Sequence, residues 1–153
     1  PHHGAAATQM SRQDAAAKLL YAWEDRVVAP CDTARVPFAQ LQALVDHVWA
    51  AEGLRWPPQV KPLPGQARRT VARATRTVIE APKSLPSWVL LHELAHAMTS
   101  DVEGRSAGHG PDFVGVYVQL LVRHARLDEA ALAQSLNEAG IAWNPAARPI
   151  VGR

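Results

Sequence analysis

Trp88-Val89-Leu90-Leu91-His92-Glu93-Leu94-Ala95-His96-Ala97-Met98 is apolar throughout except for two histidines and the glutamate beside the first of them. Ser87 offers an N-cap just ahead of it. No residue inside the run breaks a helix, so the spacing predicts an α-helix. Residues four apart on a helix share one face and lie about 6 Å apart along the axis, so both imidazoles reach a single metal ion. Glu93 projects about 100° round from His92, near enough to touch a water on that ion without ligating it. Thirteen residues after His96 comes a third histidine, in His109-Gly110-Pro111-Asp112-Phe113. Two histidines from a helix and one from a nearby turn leave a tetrahedral zinc with an open fourth position, the pattern of catalytic sites. The motif therefore predicts zinc on His92, His96 and His109, with Glu93 as general base of a hydrolase.

Other ligand sets compete. A longer zinc signature with glycine at position 99 and histidine at 102 is excluded by Thr99 and Val102. Asp112 would be a carboxylate ligand one turn from His109, or else an acidic residue placed against the positive end of a helix. Asp101, Glu103 and His124 are weaker alternatives. Tyr117, two turns beyond His109, is an oxyanion donor or a phenol packed in the core.

Downstream of the motif, a loop through Gly104 and Gly108 leads to His109, and nothing in it promises rigidity before a metal pins its end. Pro111 suits the first turn of a helix carrying Phe113, Val114, Tyr117, Leu120, Leu121 and His124. Asp128 caps a last helix with Leu132, Ala133 and Leu136, ending at Gly140. Ile141 and Trp143 pack back on the body, and residues 145–153 form a loose tail.

Upstream, Pro57, Pro58, Pro62, Pro64, Pro82 and Pro86 exclude a long helix between Trp56 and Ser87. Strands are expected at 60–63, 69–74 and 77–81, with turns at Gly65 and at Thr75-Arg76. Three short strands imply a small antiparallel sheet that needs a helix on one face. Residues 38–52 form a helix with Leu41, Leu44, Val45, Val48 and Trp49 as its stripe, Gly53 as its stop and His47 facing solvent. An earlier helix begins near the capping box Ser11-Arg12-Gln13-Asp14 and ends before Pro30. It carries Ala16, Leu19, Leu20, Trp23 and Val27 on one face. The class is α+β, with one domain over 11–144.

The 153 residues are 48% hydrophobic and 20% charged, enough for one domain with a real core. No apolar run has the length of a membrane span, and no charged-then-apolar leader opens the chain. Cys31 stands alone, so neither an internal disulfide nor a cysteine-held zinc is available, and a reducing, cytoplasmic setting is expected. Thirteen of the 16 basic residues are arginine, and Arg68, Arg69, Arg73 and Arg76 fall within nine positions. They would hold phosphate, as on a nucleic acid, or merely keep a strand edge soluble. Residues 1–10 read as a disordered N-terminus or a cloning scar, with His3 in reach of copper or nickel as an artefact.

Trp88 to Phe113 resembles the active-site block of SprT-like zinc metallopeptidases, whose signature is H-E-x-x-H followed by H-G-x-x-F. The matching residues are His92, Glu93, His96, His109, Gly110 and Phe113. From about Asp14 to Trp143 the chain is also similar to a family of small metallohydrolases of actinobacteria and their phages. The resemblance implies a minimal zincin-like fold, zinc on the three histidines, catalysis by Glu93 and a peptide or protein substrate, which in extended form would pair with the strand ending at Ile79-Glu80-Ala81. SprT-like proteins tied to DNA often carry a four-cysteine zinc ribbon, which Cys31 alone does not supply. Two alternatives remain: a non-catalytic zinc-binding structural or interaction domain, closed by a fourth protein ligand, and a regulatory protease acting on one protein partner.

Overall fold

Leu20 and Trp23 turn inward from a helix over residues 15–23 (α1), and both are fully buried. The computed structural model describes residues 15–64 and 72–150. The expected capping box at 11–14, residues 1–10, the Gly65 turn, Arg68, Arg69, the first half of the 69–74 strand and residues 151–153 lie outside them. Leu19, placed on the inward face by its spacing, is in fact exposed. After Trp23 the helix widens into a π-helical turn, Glu24–Val28, then tightens into a 3₁₀ turn, Ala29–Cys31.

The chain next forms β1 (Arg35–Pro37) and α2 (Phe38–Ala51), whose Leu41, Val45, Val48 and Trp49 are buried as their spacing requires. His47 is exposed. Four strands follow: β2 (Gln59–Pro62), β3 (Arg73–Ala74), β4 (Val78–Ala81) and β5 (Ser84–Pro86). The helices α3 (Ser87–Met98), α4 (Pro111–His124) and α5 (Glu129–Ala139) complete the chain. The protein is thus α+β.

The sheets differ from the expected single antiparallel one. One has the order β2-β4-β3, with β2 parallel and β3 antiparallel to β4. The chain rises along β2, crosses to the far edge, returns along β3 and turns at Thr75–Thr77 to run up the middle. A parallel neighbour follows from that crossover. The other sheet is a ribbon of β1 and β5, with Val36 opposite Leu85. Sequence periodicity cannot show it, because three residues flanked by proline carry no period. The ribbon has a purpose in the architecture. Pro37 and Pro86 are the N-cap residues of α2 and α3, so the antiparallel pairing of β1 with β5 launches the two helices from opposite ends of one short ribbon. Ser87 is accordingly the first helical residue and not the cap; its hydroxyl donates to Asp32 Oδ2 at 2.5 Å.

α3 packs most extensively against α4. Val89, Leu90, Leu91, Leu94, Ala95, Ala97 and Met98 are all buried. Each large apolar side chain among them contributes about 1.5–3 kcal/mol of transfer free energy, which offsets the cost of burying the polar groups they surround.

Residues 145–150, expected to be loose, are tied down. Asn144 donates its backbone N–H to Pro111 O, the Gln119 amide donates to Ala147 O, and the Ile150 N–H donates to Met98 O. Gly115 makes this strap possible: a Cβ there would lie 1.9 Å from Asn144 O. No helix among the described residues is long and apolar enough to cross a membrane.

Candidate metal centre

Burial of both flanks of α3 leaves His92 and Glu93 only 6% exposed, and His96 lies one turn on. His96 Nε2 stands 3.2 Å from His92 Nε2 and 3.1 Å from His109 Nε2. A tetrahedral zinc with bonds of about 2.0–2.1 Å sets neighbouring nitrogens about 3.3–3.4 Å apart. The donor set therefore fits zinc in both chemistry and spacing. Among the described residues, no fourth His, Cys, Asp or Glu joins this cluster.

Phe113 lies against all three rings. It stacks on His96 at 4.2 Å between centroids and meets His92 and His109 edge-on at 5.1 and 5.3 Å. His109 arrives there on a tight turn in which Gly110 N–H donates to Ala107 O. A Cβ on Gly110 would lie only 3.1 Å from that same oxygen. The glycine and the phenylalanine of H-G-x-x-F thus shape the position of His109 and its backing.

The loop between α3 and His109 carries a hydrogen-bond network of its own. Asp101 accepts the N–H groups of Glu103 and Arg105 and pairs with the Arg105 guanidinium, while Ser100 and Ser106 form a backbone bridge.

A residue that the sequence did not single out orients His92. Glu24, 3% exposed on the π turn, lies 2.6 Å from His92 Nδ1 through its Oε2. The Tyr117 hydroxyl donates to the same oxygen at 2.7 Å. With Nδ1 donating to the carboxylate, the Nε2 lone pair of His92 is left for a metal, the usual outer partnership of a ligating histidine. One signal was available: Glu24 follows Leu20 by one helical turn, so an acid occupies the inward stripe, where unpaired charge is costly. Tyr117 is fully buried and committed to Glu24, so it is a core phenol and not an oxyanion donor.

Electrostatics distinguish the groups. Burial pulls His92 down, but the hydrogen bond and charge of Glu24, with Glu93, outweigh it and hold its pKa above the usual imidazole value. Burial, aided by His92 and His109, lowers His96 to about 2, so it stays a neutral electron-pair donor. His109 is lowered for the same reasons, with Glu24 opposing. Burial raises Glu93 to about 7, against the pull of His92 and with a push from Glu24. A group poised near neutrality suits general acid–base work.

Tyr21 stands at the rim. Its ring lies 6.3 Å from His92, nearly parallel, and 5.5 Å from His109, edge-on. It is 49% exposed. Partial burial and then Glu24 and Glu93 raise its pKa, so the phenol keeps its proton. Nothing in its sequence neighbourhood marked it.

The remaining candidates sit elsewhere. Asp112 is exposed and accepts from the Asn144 amide at 3.0 Å, so it is no ligand. Asp101 and Glu103 are held by Arg105. His124 pairs with Glu52 at the far end of α4. Of the arginine cluster, Arg73 pairs with Glu80 and Arg76 lies over the Trp49 ring at 4.8 Å. β4 lies between β2 and β3, so the strand expected to receive substrate has no open edge.

Comparison with protein-family models, curated proteins and solved structures finds no match to this chain.

Proposed function

We propose that this chain is a zinc-dependent hydrolase with a zincin-like fold, akin to SprT-like metallopeptidases, that cleaves peptide bonds. The observation that carries the proposal is the convergence of three Nε2 atoms beside a buried carboxylate, with no fourth protein ligand among the described residues. A structural clamp usually closes its zinc with four protein ligands.

Zinc bound there would polarise the scissile carbonyl and acidify a water. His92, His96 and His109 would hold it, with Glu24 fixing the tautomer of His92. Glu93 accepts the proton of the attacking water and returns it to the leaving amine. An extended substrate pairs with β3, the edge strand that packs against α3, rather than with β4.

Elemental analysis together with cleavage of a proteome-derived peptide library tests this. Stoichiometric zinc and cleavage abolished by a chelator are expected. Tightly held zinc with no peptide cut by the protein would point instead to the clamp.

A further inference from the structure

Hydrolysis at this site calls for a hydrogen-bond donor aimed at the carbonyl oxygen as it gains negative charge, and several side-chain donors on the elements around the histidines are already engaged. Tyr117 gives its proton to Glu24. The hydroxyls of Thr99 and Ser100, just past the end of α3, donate back to Ala95 O and His96 O. Ser87 donates to Asp32, and Arg105 is held by Asp101 and Glu103. Tyr21 is different. Its ring borders His92 and His109, it is half exposed, and no hydrogen bond among the described residues engages its hydroxyl.

Its backbone is also well fixed. Leu20 and Trp23 are buried on either side of it in sequence, the Trp23 indole N–H donates to Ser135 Oγ at 2.8 Å, and Glu24 is tied to His92. A donor on so anchored a helix is preorganised and loses little freedom when it engages a developing charge. The two aromatic neighbours of the imidazoles thus divide the work. Phe113 is wholly buried and backs the imidazoles, whereas Tyr21 is half exposed beside His92 and His109.

We infer that Tyr21 donates its phenolic hydrogen bond to the carbonyl oxygen of the scissile bond as that oxygen becomes anionic. The inference rests on the hydrolase reading of the three-histidine site. No bond to Tyr21 forms or breaks: the phenol keeps its proton throughout.

The test uses Tyr21→Phe, which keeps the ring and removes only the hydroxyl, and a phosphonamidate alanine peptide, whose tetrahedral anion mimics the charged oxygen. Zinc content and analogue affinity are measured on zinc-loaded parent and variant by elemental analysis and titration calorimetry. The expected result is equal zinc in both, with analogue affinity lower in the variant by roughly 100-fold, in line with the loss of one oxyanion donor. Where a cleaved peptide is in hand, kcat falls by a similar factor and KM changes little. Equal analogue affinity in the two proteins overturns the assignment, as does a zinc-loaded parent that does not bind the analogue. Zinc lost from the variant alone also overturns it, because Tyr21 would then be holding the ligands and not the substrate. A parent that takes up no zinc defeats the underlying hydrolase reading instead, so the two failures are told apart.

Discussion

His92 Nδ1 and Glu24 Oε2 lie 2.6 Å apart although 68 positions separate them in the chain. Glu24→Gln removes the charge that fixes the imidazole and should weaken zinc binding by about 10- to 100-fold. Competition with a chromogenic chelator measures it. Glu24→Ala also leaves the Tyr117 hydroxyl and the His92 N–H without their acceptor, at about 1–3 kcal/mol of stability each. An unchanged zinc affinity in Glu24→Gln would remove Glu24 from the site.

Glu93→Gln should keep stoichiometric zinc and abolish peptide cleavage; a variant as fast as the parent sinks the general-base role. The same substitution has a signature in the metal-free protein. Glu93 is raised to about 7 from 4.5, so the folded state holds its proton more tightly than the unfolded chain does. The parent therefore loses stability, relative to the glutamine variant, as pH climbs from about 4.5 to about 7, by a few kcal/mol at most. Urea unfolding of both proteins at a series of pH values reads that difference. A constant difference would mean that Glu93 is not held away from water.

His109→Ala should release zinc, whereas Asp112→Asn should leave zinc content untouched, because the Asp112 carboxylate is exposed and bound to Asn144. The reverse result would move the third ligand to α4.

Gly115→Ala places a Cβ 1.9 Å from the backbone oxygen of Asn144, which cannot yield as a side chain would. The strap must shift, at about 1–3 kcal/mol. Faster hydrogen exchange at the Ile150 N–H, now bonded to Met98 O, is the local readout.

The helix of the motif and the stripe of α2 were legible because a 3.6-residue period shows in any single segment. His109 was legible as well, through its glycine and proline neighbours. The parts that escaped are those decided between segments. Glu24 reads as an ordinary acid beside Asp25 and Arg26 until the fold lays it against His92. The β1–β5 ribbon joins triplets 49 positions apart, from Arg35 to Ser84, with too few residues in either to show alternation. Parallel pairing of β2 with β4 depends on the path of the intervening chain. The strap over Gly115 likewise looked loose because its bonds all reach back to helices formed earlier in the sequence. Tyr21 owes its place to the packing of α1 on the histidines, which no local pattern encodes.

The strap bears on the order in which the centre is assembled. It grips Met98 at the end of α3 and Pro111 at the start of α4, the two anchors of the loop that carries His109. A ribosome delivers residues 144–150 after all three histidines. A nascent or clipped chain that stops short of Asn144 would keep the loop's own bonds but lack this tie between the end of α3 and the start of α4. The brace across the two ends of the histidine-bearing loop would then be the last part of the centre to be made.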